Sequence, residues 1–109
     1  MLEPILGSVS AERVLIFITA RQEGYAREIA RFFETNLDPI QRQLEKLEFG
    51  GVPINRWVGR TRLYAFNPRY PFLREVKNLI SRALDFHSES ARELLLMNRK
   101  RPRRADKPL

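Results

Sequence analysis

Gln41, Arg42 and Gln43 stand side by side, and Lys46 follows one helical turn later. These are hydrogen-bond donors long enough to reach base edges from a helix. Guanine offers two acceptors to an arginine fork, and adenine suits an amide that both donates and accepts. Arg42 is the best base-reading candidate, the two glutamines flank it, and Lys46 suits a phosphate. A second basic group follows at Arg56, Arg60 and Arg62, with Thr61 able to donate to a phosphate. Arginines on a short projection gain from the negative potential of a narrow minor groove. A third group, Arg99, Lys100, Arg101, Arg103 and Arg104, offers non-specific phosphate neutralisation. The bland alternative for the first group is a solvated helix face, and Glu45 and Glu48 add weight to it because acids repel phosphates.

Charge distribution agrees with this division. The chain has 109 residues and a net charge of +7. Residues 99–109 hold six Lys or Arg against one Asp, so most of the excess is a tail, which suits a polyanion or merely solubilises the end. Catalysis finds no support. There is no cysteine, His87 is the sole histidine, and no nucleophile–base–orienter set or glycine-rich phosphate loop is present. No cofactor or metal is expected. The longest apolar run, residues 14–18, is far too short to span a bilayer, and the N-terminus lacks the pattern of a signal peptide. A cytoplasmic, nucleoid-associated location is the expectation.

The elements that must position these side chains follow from periodicity and punctuation. Residues 1–7 form an arm or single turn. Ser8 or Ser10 caps a helix reaching about residue 20, apolar nearly all round over 14–18 and therefore central. Residues 22–24 are a turn, and a second helix covers 26–33. Asp38 is the expected N-cap of a third helix, with Pro39 at its first position, Gln41 completing a capping box and Gly50-Gly51 as its stop. Strands over 54–58 and 63–66 flank a turn at Gly59-Arg60-Thr61-Arg62. Trp57 and Tyr64 lie on this hairpin and read as packing residues. Pro71 opens a fourth helix whose Phe72, Val76, Leu79, Ile80 and Ala83 repeat at helical spacing. Residues 88–97 extend it or form a fifth. The fold class is mainly α with a small hairpin (α+β): a winged helix-turn-helix in the order α-α-α-β-β-α, spanning 1–86, with a possible short helix and the basic tail over 87–109.

In that order, the runs Tyr25-Ala26-Arg27-Glu28-Ile29-Ala30, residues 40–48, Gly51-Val52, residues 58–64 and residues 67–73 resemble the ArsR-like winged helix-turn-helix transcriptional regulators of bacteria and archaea. The likeness covers roughly residues 5–84. It implies a homodimer on a two-fold symmetric double-stranded DNA site, with the third helix in the major groove and the wing on the minor groove or phosphates. Two such helices would sit about 34 Å apart, one DNA turn. Many relatives of this kind sense metals through Cys and His, and with no Cys that property does not carry over. The expected DNA contacts are Pro39, Gln41, Arg42, Gln43 and Lys46 on the helix, and Arg56, Arg60, Thr61 and Arg62 on the wing. The dimer candidates are Leu2, Ile5 and Leu6 from the arm, with Phe72, Val76, Leu79, Ile80 and Ala83 from the fourth helix. The function expected is sequence-specific transcriptional regulation, most simply repression by occlusion. A protein–protein module and a non-specific architectural protein acting through its tail remain the alternatives.

Overall fold

A computed structural model describes residues 1–87 and 89–100. The elements are α1 (Glu3–Leu6), α2 (Val9–Arg21), β1 (Glu23–Gly24), α3 (Ala26–Phe32), α4 (Leu37–Phe49), β2 (Pro53–Val58), β3 (Thr61–Phe66), α5 (Leu73–Leu84) and α6 (Glu89–Lys100). The class is α+β, mostly helical with one small antiparallel sheet in the order β1-β3-β2. Among the described residues no helix is long and apolar enough to cross a membrane.

The apolar run 14–18 makes α2 the central helix. Val14, Leu15, Ile16, Phe17 and Ile18 are all buried, because α1, α3, α4, α5, α6 and the sheet surround them. Ser8 caps α2, its hydroxyl accepting from the Ala11 amide at 3.0 Å. Ile40 and Leu44 of α4, Ile80 of α5 and Tyr64 of β3 close the same core. Leu95 of α6 is also buried in it, so the fold continues past residue 86. Arg21 fastens α6 in place. Its guanidinium donates to the Leu95 and Leu94 carbonyls and lies over the Phe17 and Phe32 rings. Burial holds Arg21 below the ordinary arginine value, and the nearby Glu28 carboxylate acts in the opposite direction.

Glu12 is a charged residue inside this core, 4% exposed. Its carboxylate accepts from the N-terminal ammonium at 3.2 Å and from the Leu2 amide at 2.9 Å. Burying a carboxylate requires such partners, and they fix the arm against α2.

Several expected details change. Residues 23–24 are not a turn but a strand, pairing Glu23 with Ala65 and Gly24 with Tyr64. The helix expected to start at Asp38 starts at Leu37, with Asn36 as N-cap. Pro39 therefore sits third in the helix, where its missing amide is still one the helix leaves unpaired. No capping box forms, since Gln41 donates instead to Glu45 at 3.1 Å. The hairpin turn is two residues, Gly59-Arg60, closed by the pair Val58–Thr61. Gly59 takes φ +64°, as the first central position of a tight hairpin turn demands. Thr61 and Arg62 consequently belong to β3. The helix expected from Pro71 begins at Leu73, and residues beyond 88 form a separate helix reaching Lys100.

Candidate nucleic-acid interface

Helix α4 buries Ile40 and Leu44 and turns Asp38, Arg42, Glu45 and Lys46 to solvent. Arg42 and Lys46 are one turn apart on this open face. Pro39, Gln41 and Gln43 are half-buried at its margins. The acidic neighbours are partly engaged, Glu45 by Gln41 and Glu48 by the side-chain amide of Asn55 on β2. The second contact ties α4 to the hairpin. Phe49 ends the exposed stripe and is 96% exposed. It was not singled out from the sequence, although it falls seven residues after Arg42, on the same face.

Strand alternation splits the hairpin's basic residues between two faces. Arg56 lies on the outer face and reaches Glu23 of β1 at 3.3 Å, so it is already ion-paired. Trp57 and Arg62 oppose each other on the inner face. The Arg62 guanidinium lies 4.9 Å from the indole centroid, within cation–π range. Trp57 is nonetheless 62% exposed, so its expected packing role is corrected. Tyr64, two pairs nearer the core on the same face, is 1% exposed and does pack.

The hairpin and the starts of α3 and α4 border an open cleft of about 400 Å³. Gln41, Arg60, Thr61 and Arg62 all line it. The structure adds Arg27 from α3 and Tyr25 just before it, together with Trp57 and Tyr64. Arginine and aromatic side chains thus share one concave surface. Arg42 follows Gln41 in the chain, about 100° further round the helix, and stands outside the cleft lining on the open face of α4.

The Tyr64 hydroxyl is buried and has no hydrogen-bond partner among the described residues. Such a group carries a desolvation penalty without return. Tyr64→Phe is therefore expected to raise stability by about 1 kcal/mol, read as a higher urea midpoint with an unchanged slope. A lower midpoint would show that the hydroxyl is engaged after all.

The remaining candidates fall elsewhere. Arg99 and Lys100 are in the last turn of α6. Their side chains, and Arg101, Arg103 and Arg104 entirely, lie outside the described residues. Ile80 and Ala83 are buried in the chain's own core, which removes them as a free dimer surface. Leu2, Leu6 and Val76 are half-covered by that core, whereas Ile5, Phe72 and Leu79 are exposed. His87 stands between α5 and α6 with Nε2 3.8 Å from the Glu12 carboxylate. Among the described residues no three His, Asp or Glu side chains converge as metal ligands would.

Comparison with protein-family models, curated proteins and solved structures finds no match.

Proposed function

We propose that this chain is a homodimeric, sequence-specific double-stranded DNA-binding regulator of transcription, acting without catalysis and repressing by occlusion. The observation that carries the reading is that one fold presents an exposed Arg42–Lys46 pair on α4 and, at the start of the same helix, a cleft lined by Arg27, Arg60 and Arg62. Helix α4 has the length and open face of a major-groove reader, and the hairpin is a wing beside it. The resemblance to ArsR-like regulators supports the same assignment. Of the wing arginines, Arg60 and Arg62 are the phosphate or minor-groove contacts, because Arg56 is engaged by Glu23.

The dimer has its own support on α5. Leu79 of α5 is 38% exposed, and Phe72 and Phe86, just outside its two ends, are 60% and 65% exposed, so exposed apolar side chains stand at the middle and at both ends of this helix. Glu75 and Arg82, also exposed, lie along one flank of it. An antiparallel second copy centred on Leu79 would bring Phe72 to Phe86, and Glu75 to Arg82, in both directions. That self-complementarity is what a two-fold interface requires.

Fluorescence anisotropy tests the DNA reading, with the chain's own upstream DNA against a scrambled duplex over a salt series. The expected result is a preference for the native DNA that persists as salt rises, and that Arg42→Ala reduces by about ten- to a hundredfold. Arg60→Ala is expected to weaken both duplexes alike and to lower the salt slope by about 1. If Arg42→Ala and Arg60→Ala both leave affinity unchanged, the reading fails. The exposed Phe49 favours the protein–protein module as second reading. One stoichiometric protein partner, with no duplex binding at moderate salt, would establish that reading instead.

A further inference from the structure

We propose that the wing cleft takes one unpaired nucleotide, with its base stacked on the Trp57 ring and its phosphate held by Arg27, Arg60 and Arg62. The protein then favours nucleic acid with an unpaired position over a fully paired duplex.

Four features converge on this site. A tryptophan 62% exposed on a strand keeps a large apolar ring in water, and Trp57 lines the cleft. Arg62 lies over the indole at 4.9 Å, and with the residue 62% exposed the ring still has open surface to serve as a platform. Bases stack on such faces whatever their sequence. A base inside a duplex has both faces occupied by its neighbours, so only an unpaired one can use the platform. The cleft, at about 400 Å³, falls in the size range of small-ligand sites. Its cations are arginines, whose planar forks match phosphate oxygens. Finally, Gln41 lines the cleft. Its side-chain oxygen, which the Nε2 bond to Glu45 leaves over, can accept from a base edge, which discriminates little among bases but rewards a nucleotide over a simple anion.

The inference rests on the nucleic-acid reading of this face, and its test separates the two. Trp57 is the only tryptophan in the chain, so intrinsic fluorescence reports the site directly. The full chain is titrated with a fully paired duplex, with the same duplex carrying a single-nucleotide bulge, and with a free 5′-mononucleotide. The bulged duplex is expected to bind about tenfold tighter than the paired one and to quench the emission, with only weak quenching by the mononucleotide. By anisotropy, Trp57→Ala is expected to abolish the preference while changing paired-duplex affinity less than about twofold, and Trp57→Phe to keep part of it. Equal binding of both duplexes without quenching would overturn the inference and leave the duplex reading standing. A preference that survives in Trp57→Ala would overturn it too, since a bulge also makes DNA easier to bend. Tighter binding of the mononucleotide than of the bulged duplex would overturn the strand preference and make a free nucleotide the occupant. Binding of neither duplex would overturn both readings.

Discussion

Replacing Leu79 by Arg is expected to separate the dimer into monomers and to lower affinity for a two-fold symmetric duplex by about a hundredfold. Leu79 is the exposed apolar residue at the middle of α5, so the substitution buries two like charges opposite each other in the antiparallel pair. A dimer couples two half-site contacts, and the loss of that coupling dominates the effect. The fold itself should tolerate the change, because Leu79 is 38% exposed while the neighbouring Ile80 carries the core contact. Light scattering after size-exclusion chromatography reads the mass, and thermal melting confirms the fold. Glu75 and Arg82 supply the orientation test. Glu75→Arg alone should weaken the dimer, and Glu75→Arg with Arg82→Glu should restore it, since the swap regenerates both opposite-charge pairs. A wild-type chain that is already monomeric would remove the dimer from the proposal. A Leu79→Arg protein that stays dimeric would move the interface elsewhere, with Ile5 of the arm, 70% exposed, as the next of the expected interface residues.

Phe72 and Leu79 also show how far periodicity carries. The three- and four-residue spacing over 72–84 marks one apolar stripe, and the structure divides it in two. Ile80, Ala83 and Leu84 enter the core, and Phe72 and Leu79 remain at its edge. Spacing gives the face of a helix, but not how much of that face a neighbour covers. The hairpin teaches the same about strands. Trp57 and Tyr64 lie on one face by alternation, yet one is exposed and the other buried, because Trp57 sits beyond the edge of the core. Sequence alone therefore reads both as packing, and the cleft's aromatic platform goes unrecognised. The helix start at Leu37 is a third case. Asp38 and Pro39 form a good local start signal, but Leu37 packs against the core and brings the helix with it. What local signals did identify is equally specific: a serine cap at Ser8 or Ser10, which the structure gives to Ser8, the all-round apolar α2, and Gly59 at the hairpin turn. Each depends on a single residue's chemistry or on unbroken hydrophobicity, and neither needs knowledge of distant contacts.

Gly24→Ala is expected to destabilise the chain by about 1–3 kcal/mol, although the sequence places this glycine in an apparently tolerant turn. A Cβ there would stand 2.7 and 2.8 Å from two carbons of the Phe17 ring, closer than real contacts allow. The ring has nowhere to go. Phe17 is fully buried, Phe32 meets it edge-to-face at 5.8 Å, and Arg21 lies over it at 4.6 Å. The backbone of Gly24 is constrained too, through its pairing with Tyr64 in β3. Either Phe17 leaves its place or β1 lifts from α2. If β1 lifts, Tyr25 and Arg27 move with it, since they follow directly in the chain, and the cleft loses its α3 wall. The variant should thus show both a lower urea midpoint and weaker nucleic-acid binding. Adding Phe17→Leu discriminates the cause. A smaller side chain at 17 costs stability by itself, but it makes room for the alanine, so the double variant should be less unstable than the two single effects added together. Strict additivity would mean that Gly24 is needed for backbone freedom, not for the close approach of β1 to Phe17.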